Sequence, residues 1–365
     1  MVKQPNNRPF NFGAGPSMLP TEILVEARQS LLNWRDSGMS VMEVGHRTPL
    51  IRDLFDESEV LLRDLLSVPD NYHVLFLGHP ARTQFSMIPM NLISSNQSGA
   101  YIDSGIWSSL AFDEAKKISR AYCIASSQDN EYRKLPTFNS TQVKPHTAYL
   151  YYTPNETING LRYAKPPEVD VPLVADMTSC ILYEPINVKD YGLIFAGAQK
   201  NISIAGLTIV IVNNNLIQDK ATTALPSMMD YRLQIESRSL YATPSSFNCY
   251  LALLMFRWLK KQGGVEAQYQ LNSEKSTKLY DFIDNSSFYH CNVEASARSI
   301  VNICFSLADP TLEPLFIDQA AKHGLLALKG HRLAGGCRAS LYNSMPIDGV
   351  NALIAYMQQF QKEHQ

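Results

Sequence analysis

The stretch that decides the fold is residues 173–200, LVADMTSCILYEPINVKDYGLIFAGAQK. It contains two short apolar runs, 173–176 and 193–196, each followed by small or polar residues. Short apolar runs with such boundaries are typical of strands that are buried on both faces of a sheet. The first run ends at Asp176 and the second is followed closely by Lys200, so both polar side chains are expected at strand ends.

The same pattern extends along the chain on both sides of this stretch. Five further apolar runs are found at 73–77, 100–103, 121–125, 148–152 and 207–212. Helix-length segments separate several of them, which is typical of a mainly parallel sheet covered on both faces. The last run follows its predecessor after a short loop, and this favours an antiparallel strand of the same sheet. The sequence predicts an α/β fold with a mixed, mainly parallel seven-stranded sheet.

Helices are predicted around these strands from apolar residues at helical spacing. Pro20 can open a first helix, whose apolar positions continue to Leu31 and Leu32. A second amphipathic segment covers 50–66, and a buried helix is expected over 246–261.

A change of texture after this buried helix predicts a domain boundary. Gly263 and Gly264 form a helix stop, and beyond them lie a polar helix, one strand and two more helices. We therefore predict a large domain, 16–263, and a small C-terminal α+β domain, 264–365. The N-terminal segment 1–15 is expected to pack near the small domain.

Composition and charge exclude several classes of protein. The chain has 365 residues, 45% of them hydrophobic, and a formal net charge of −2, so nucleic acid is not an expected partner. No apolar run is long enough to cross a bilayer, and the polar start, 1–9, lacks the apolar core of a secretory signal. Six cysteines without a CxxC pair predict reduced thiols in a cytoplasmic protein and no metal site.

Asp176 and Lys200 together suggest a pyridoxal-phosphate (PLP) site. Ligands of open α/β sheets collect at the carboxyl ends of the strands, where both residues are expected. A lysine can form a Schiff base with PLP, while a carboxylate keeps the pyridine nitrogen protonated so that the ring withdraws electrons. Taken singly, each residue has an ordinary alternative, since lysines after strands are usually solvated and aspartates there usually cap helices.

Two further features could belong to the same site. Residues 74–85, VLFLGHPARTQF, predict a strand, a tight turn and a helix start whose free amides could hold a phosphate. Trp107, at a predicted helix start, could provide a flat face for a pyridine ring, although a tryptophan is more often a core residue.

A third feature is cationic. His46 and Arg47 lie in a predicted loop, and His331, Arg332 and Arg338 lie within 329–338. Arginine binds carboxylates with a bidentate fork, and histidine with arginine suits a phosphate. If these side chains converge, they fit a small phosphorylated acid; otherwise they are solvated surface charges.

Five stretches in one order are more specific than any of these features alone. They are 11–16 (NFGAGP), 40–47 (SVMEVGHR), 154–160 (PNETING), 197–201 (GAQKN) and 329–340 (KGHRLAGGCRAS). In these stretches, and from residue 10 to about residue 361, the chain resembles the phosphoserine aminotransferase family, which consists of class V, fold type I PLP enzymes.

The resemblance implies the roles of individual residues. Lys200 would hold PLP covalently and, once freed by substrate, move a proton between the α-carbon and cofactor atom C4′. Asp176 would pair with the pyridinium, and Arg338 would bind the substrate carboxylate. Trp107 would stack on the ring, and Thr157 would contact the ring hydroxyl. The cofactor phosphate would be bound by Ala81, Arg82 and Gln199 of the same chain and by Thr243 of the other subunit. The implied substrate-phosphate contacts are His46, Arg47, His331 and Arg332.

The reaction implied by the resemblance is transfer of an amino group from glutamate to 3-phosphohydroxypyruvate, giving O-phosphoserine and 2-oxoglutarate for serine biosynthesis. A related phosphorylated hydroxythreonine of pyridoxine biosynthesis is a second expected substrate. The resemblance also implies a homodimer with shared active sites, because some phosphate contacts would cross an interface.

The sequence departs from the family pattern at three places. His79 and Pro80 stand where the family has glycines, Ser203-Ile204 replaces Gly-Pro, and Ala242 replaces an asparagine. Proline has no N–H, and alanine removes one phosphate donor. A lost hydrogen bond to a charged group costs roughly 1.5–3 kcal/mol, which could weaken PLP binding about ten- to a hundredfold unless Arg82 or His79 compensates.

Three alternatives stay open at this point. A cysteine desulfurase would need a nucleophilic cysteine, but Cys337 beside Arg338 is interpreted as a packing residue. A transaminase for an unphosphorylated amino acid would leave both His-Arg pairs without a task. A non-catalytic paralogue that binds PLP or a phosphorylated metabolite would account for the altered phosphate turn but not for Lys200 and Asp176.

Overall fold

The computed structural model of the chain describes residues 8–218 and 224–365. Its strands are β1 (Phe10–Asn11), β2 (Tyr72–Leu77), β3 (Ser98–Asp103), β4 (Ala121–Ser126), β5 (Thr147–Tyr152), β6 (Asn155–Glu156), β7 (Leu161–Arg162), β8 (Leu173–Asp176), β9 (Leu193–Gly197), β10 (Thr208–Asn213), β11 (Tyr289–His290), β12 (Asn302–Leu307), β13 (Leu325–Leu326) and β14 (Cys337–Ser340). Its helices are α1 (Thr21–Gln29), α2 (Pro49–Leu66), α3 (Gln84–Leu92), α4 (Ile106–Ile118), α5 (Asn214–Gln218), α6 (Tyr231–Glu236), α7 (Ser246–Lys261), α8 (Gly264–Asp284), α9 (Glu313–Lys322) and α10 (Ile347–His364).

The main sheet has seven strands in the order β2-β10-β9-β8-β5-β3-β4. β10 pairs antiparallel with β2 and β9, and the remaining neighbours are parallel. The predicted mixed, mainly parallel sheet is therefore confirmed, including the antiparallel direction of 207–212. A short connection can join β9 to β10 because antiparallel neighbours need no crossover helix.

Both faces of this sheet are covered by helices, which is why its strands are almost continuously apolar. Along β2, Val74 and Phe76 pack in the hydrophobic cluster that includes α2 and α7, whereas Leu75 and Leu77 pack in the cluster of α3 and α4. Side chains of a strand alternate between faces, so a strand that is buried on both sides needs apolar residues at every position.

The carboxyl ends of the parallel strands meet at one edge of the sheet. β8 ends at Asp176, and β9 ends at Gly197, three residues before Lys200. β2 runs in the same direction as β9, since β10 is antiparallel to both. The turn after β2 therefore lies at the same edge as Asp176 and Lys200.

The first helix is shorter than its apolar spacing predicts. α1 ends at Gln29, so Leu31 and Leu32 lie outside it, and Leu32 is 86% exposed. Trp34 explains the difference, because its indole is buried and packs edge-to-face against Tyr250 of α7. The chain has to turn before Trp34 to place this large ring in the core, and the burial of the ring outweighs the continuation of a surface helix.

The C-terminal part contains a second, antiparallel sheet with the order β11-β12-β14. β1 pairs in parallel with β13, so Phe10 lies opposite Leu325. Phe10 and Phe12 belong to the same hydrophobic cluster as residues of α8, α9 and α10. Residues 1–7 of the segment expected to pack here lie outside the described residues. Among the described helices, none is long and apolar enough to cross a membrane.

Candidate active site

Lys200 is a buried lysine in the turn that follows β9. Its Nζ donates a hydrogen bond to Thr157 Oγ1 at 2.5 Å. Burial lowers the pKa of Lys200 to about 8, against the opposing influence of the Asp176 carboxylate, and Arg338 lowers it further. About a tenth of the amine is therefore neutral at pH 7, far more than for an ordinary lysine, and the neutral form is the one that attacks a carbonyl carbon.

Asp176 is the last residue of β8 and is also buried. Its Oδ1 accepts a hydrogen bond from the backbone N–H of Thr178 at 3.0 Å. Burial raises the pKa of Asp176, while the Thr178 hydrogen bonds and the charge of Lys200 oppose the rise. The structure thus holds a carboxylate within electrostatic reach of the lysine amine, as expected for adjacent strand ends.

The N-terminal motif 11–16 packs directly behind this lysine. Ser17 donates its backbone N–H to the carbonyl of Gln199 at 2.9 Å and its hydroxyl to the carbonyl of Lys200 at 2.5 Å. Gly15 has a φ of +146°, and a Cβ at this position would lie 3.3 Å from Lys200 Cγ. A side chain at position 15 would therefore be strained and would press on the lysine stem.

Trp107 forms one wall beside the lysine. It lies in the first turn of α4, and its ring centroid is 5.6 Å from Lys200 Nζ and 5.3 Å from Arg82 Cζ. Its buried Nε1 has no hydrogen-bond partner among the described residues. The indole therefore presents a flat aromatic face and a free donor to the same space.

Glu156 is a buried acid that the sequence interpretation missed. It accepts hydrogen bonds from the backbone N–H groups of Trp107 at 3.2 Å and Ser108 at 2.9 Å. Burial raises the pKa of Glu156 to about 7, although these hydrogen bonds favour its charged form. The sequence did contain a sign of this residue, because Glu156 directly precedes Thr157, a predicted cofactor contact, in the motif PNETING.

The turn after β2 presents two backbone donors. A 3-10 turn, Ala81–Thr83, leads into α3, and the amides of Ala81 and Arg82 donate to no described residue. The preceding Pro80 has an extended backbone, and the carbonyl of His79 accepts a hydrogen bond from Thr208 Oγ1 at 2.7 Å. Free amides at the start of a helix suit an anion such as a phosphate.

These elements enclose one cavity. It is lined by Pro80, Ala81, Arg82, Phe85, Trp107, Thr153, Asn155, Thr157, Asp176, Thr178, Ser179, Gln199 and Lys200. Of the cofactor contacts that the sequence suggests, the structure brings Ala81, Arg82, Trp107, Thr157, Asp176, Gln199 and Lys200 together here.

Arg338 adjoins this cavity from the C-terminal part of the chain. It lies on β14, and its Nη1 donates to the backbone carbonyl of Thr157 at 3.4 Å. Its buried Nε has no partner among the described residues. His331 is close enough that burial, then Arg338 and Arg332, lower its pKa. His331 and Arg332 therefore lie near Arg338, which is the member of this group that acts on Lys200.

Three other predicted contacts are not part of this assembly. His46 and Arg47 lie in the loop before α2, and Thr243 lies in the loop before α7. Arg47 and Thr243 are exposed, and none of the three lines the cavity. Ala242 is exposed as well.

The fold and the paired lysine and aspartate define a class of enzyme. Residues 9–353 match the family model Aminotransferase class-V. The matched region contains the whole cavity, including Asp176 and Lys200. The protein is a class-V aminotransferase with PLP as its cofactor, and its main domain has the fold type I architecture of PLP transferases.

Similar proteins show to which family within the class-V aminotransferases the chain belongs. Phosphoserine aminotransferase from Legionella pneumophila strain Philadelphia 1 is 55% identical over 98% of this chain and 99% of its own length. The phosphoserine aminotransferase structure from Bacillus circulans subsp. alkalophilus superposes with a TM-score of 0.94 at 39% identity, covering 98% of this chain and 99% of that one. A PLP-bound phosphoserine aminotransferase from Trichomonas vaginalis gives 0.92 at 36% identity, covering 96% and 100%. The chain belongs to the phosphoserine aminotransferase family.

The residues of the cavity fit PLP. Lys200 supplies a buried primary amine, and Asp176 supplies a buried carboxylate at the same sheet edge. Trp107 offers an aromatic face whose Nε1 has no partner among the described residues. The amides of Ala81 and Arg82 are available to an anion. The amine, the carboxylate, the aromatic face and the free amides therefore suit an aldehyde-bearing, pyridine-containing phosphate ester.

Proposed function

We propose that the protein transfers the amino group of glutamate to 3-phosphohydroxypyruvate, giving O-phosphoserine and 2-oxoglutarate. The observation that carries this proposal is the cavity where Lys200 and Asp176 lie together, with Arg338 beside Lys200 and His331 near Arg338. A lysine–aspartate pair suits amino transfer, and adjacent cations suit an acid that carries a carboxylate and a phosphate. Two relatives that align with 97–98% of this chain are named phosphoserine aminotransferase, which supports a phosphorylated amino-acid substrate.

Lys200 is the residue that would hold the cofactor and move the proton. When bound, PLP supplies an electron-withdrawing ring that makes the hydrogen on the substrate α-carbon acidic. With the cofactor bound, the neutral Lys200 amine would take this proton from the α-carbon and deliver it to the cofactor atom C4′. Its lowered pKa, about 8, keeps part of the amine unprotonated for this task.

The other cavity residues would hold and orient the cofactor. Asp176 would accept the pyridinium N–H, and Thr157 would contact the ring hydroxyl. Trp107 would stack against the ring. Gln199 and the amides of Ala81 and Arg82 would bind the cofactor phosphate. These assignments rest on the positions of the same residues around one cavity.

Arg338 would bind the substrate carboxylate. Its Nη1 lies 3.4 Å from the carbonyl of Thr157, while its buried Nε has no partner among the described residues. A guanidinium with a free donor pointing into a buried space is suited to a bidentate bond with a carboxylate. His331 and Arg332, which lie next to it, would then bind the substrate phosphate.

We also propose a homodimer in which His46, Arg47 and Thr243 complete the site of the other subunit. None of these residues lines the cavity of its own chain. Both segments that carry these residues contain an exposed large apolar residue, Met42 or Tyr241, and Leu333 is exposed next to Arg332. Exposed apolar side chains beside functional cations favour burial against a second copy of the chain.

The reaction is tested by the absorbance spectrum of the PLP-supplied protein before and after addition of O-phosphoserine. Conversion of the cofactor band with O-phosphoserine, but not with serine or alanine, is the expected result. Serine lacks only the phosphate, so it is the matched control for the cationic residues. A band that ignores O-phosphoserine would overturn the proposed substrate and favour a PLP-binding paralogue without this activity.

The shared site is tested by mixing two defective variants, Lys200→Ala and Arg47→Ala. In a random mixture, half of the dimers are hybrids. If Arg47 serves the site of the other subunit, each hybrid has one site in which both Lys200 and Arg47 are intact. Activity should recover to about a quarter of the wild-type value if Arg47 crosses the interface. No recovery after subunit exchange would show that Arg47 serves its own chain or no site.

Further proposals concern the setting of the enzyme. We expect a cytoplasmic location, supported by six free cysteines. We also propose 4-phosphohydroxythreonine of pyridoxine biosynthesis as a second substrate, since it shares the phosphate and amino-acid groups.

We propose in addition a division of the chain near Gly264 into domains 16–263 and 264–365. This is supported by the hydrophobic clusters. Two of them pack on the faces of the main sheet and consist mostly of residues before Gly264, and a third joins α8, α9 and α10 with the N-terminal Phe10 and Phe12.

A further inference from the structure

The carboxylate of Glu156 is fully buried between β6 and the first turn of α4. Its two oxygens accept the backbone N–H groups of Trp107 and Ser108. No described lysine, arginine or histidine forms an ion pair with it. A buried charge without an ion partner is costly, and here the two amides, the Ser108 side chain and the positive end of the helix favour it.

The backbone at Gly105 lies so close to this carboxylate that position 105 has no room for a side chain. A Cβ at Gly105 would lie 2.5 Å from Glu156 Cδ and 2.7 Å from its Oε2. Only glycine therefore allows α4 to start this close to the acid. The start of α4 and the acid are fitted to each other, whereas an ordinary helix cap is an exposed Ser, Thr or Asp.

Glu156 also connects two residues of the cavity. The next residue, Thr157, accepts the hydrogen bond of Lys200 Nζ, and one of the two amide donors belongs to Trp107. The negative charge of Glu156 raises the pKa of Lys200, in opposition to burial. The titratable groups that interact with Glu156 are Tyr132, Tyr151, Tyr163, Asp176 and Lys200.

We propose that Glu156 is a positioning residue for the cofactor: it fixes the Trp107 turn of α4 against the cavity and keeps a negative charge within reach of Lys200. The proposal rests on the PLP-dependent function proposed above. Glu156 acts through Trp107, Thr157 and Lys200 and needs no contact with substrate.

The test uses Glu156→Gln in the PLP-supplied protein without substrate. Glutamine can accept only one of the two amides, and its NH₂ group faces the other donor, so the Trp107 turn should shift. The dissociation constant for PLP should rise about tenfold, as expected when one charge-assisted hydrogen bond is lost. The visible circular dichroism of bound PLP should also weaken, because this signal depends on how the ring is held.

The lost charge predicts a second, independent change. Removal of a negative charge near Lys200 should lower the pH at which the visible cofactor band titrates, by at least about half a unit. A purely structural role would not move this midpoint. Asp309→Asn is the matched control, because Asp309 caps a 3-10 turn through Thr311 N–H on the protein surface. This control should leave the PLP affinity, the dichroism and the midpoint unchanged.

A Glu156→Gln protein with a lower melting temperature but wild-type midpoint, dichroism and PLP affinity would overturn the proposal. If Glu156→Gln does not fold, Glu156→Asp decides, since it keeps the charge but shortens the reach to the amides. A wild-type dichroism and PLP affinity in Glu156→Asp would then overturn it. All readouts are taken without substrate, so a failure of O-phosphoserine to react would count against the proposed reaction and not against this role.

Discussion

Lys200 and Lys275 are both buried lysines, but their surroundings differ. Lys275 lies on α8, is completely buried, and donates to the backbone carbonyls of Leu341, Tyr342 and Met345 at 2.9–3.0 Å. Burial lowers its pKa to about 7. The Lys200 amine makes one hydrogen bond with a described residue, to Thr157, and lines a cavity where Asp176 and Arg338 influence its pKa.

The comparison shows that a lowered lysine pKa does not by itself mark a catalytic residue. All three protons of the Lys275 ammonium have carbonyl acceptors, so this lysine ties the 341–345 loop to α8 and has no donor left for a ligand. Lys200 keeps donors free beside a cavity and has an acid within reach. Open space and charged neighbours, more than the burial of the amine, distinguish the reactive lysine.

The strongest test of this comparison replaces Lys200. For Lys200→Ala, kcat/KM for O-phosphoserine should fall at least about 1000-fold, because both the covalent anchor and the proton carrier are lost. The coupled production of glutamate from 2-oxoglutarate measures this. Lys275→Met is the matched control. A Lys200→Ala enzyme whose kcat/KM lies within tenfold of the wild-type value would show that Lys200 is no more catalytic than Lys275.

A second test removes the charge of Asp176, the acid that lies near Lys200 but not near Lys275. Asp176→Asn should reduce kcat roughly a hundredfold, since a neutral amide does not hold the pyridine nitrogen protonated. Steady-state kinetics with saturating PLP separate this effect from loss of the cofactor. An unchanged kcat would mean that Asp176 shapes the site without affecting the ring.

The third test replaces Lys275. Lys275→Met should lower the free energy of unfolding by about 2–4 kcal/mol, because three buried carbonyls lose their donor. The kcat of the folded variant should stay within about threefold of wild type, as Lys275 does not line the cavity. Urea denaturation and the same kinetic assay measure the two quantities. A stable but inactive Lys275→Met protein would contradict the structural role.

The smallest expected effect is the pH dependence of stability. The folded-state pKa of Lys275, about 7, lies below the ordinary value, so between these values the unfolded chain holds a proton that the folded chain has released. Stability contributed by Lys275 therefore rises with pH above 7, by up to about 1.4 kcal/mol per unit for one proton. The stability difference between wild type and Lys275→Met, measured from pH 7 to 9, should widen accordingly. A constant difference would mean that the three carbonyls keep Lys275 charged throughout.

The sequence by itself determined the central sheet and the position of the reactive pair. Short apolar runs separated by helix-length segments favour the strands of a covered, mainly parallel sheet, and parallel strands place their carboxyl ends, hence Asp176 and Lys200, at one edge. The seven strands of that sheet agree with their runs to within one or two residues at each end. Helix α7 was predicted with its observed bounds because its glycine stop is local.

Other features depend on partners far away in the chain and are not encoded locally. The end of α1 depends on Trp34 packing against Tyr250, and the short pair of β1 with β13 joins residues more than 300 positions apart. Only the tertiary structure distinguishes Lys200, which lines the cavity, from Lys275, which is bound to three carbonyls, and only it reveals the buried carboxylate of Glu156. Burial and hydrogen-bond partners decide the pKa and the role of such groups, and both arise only when distant segments pack together.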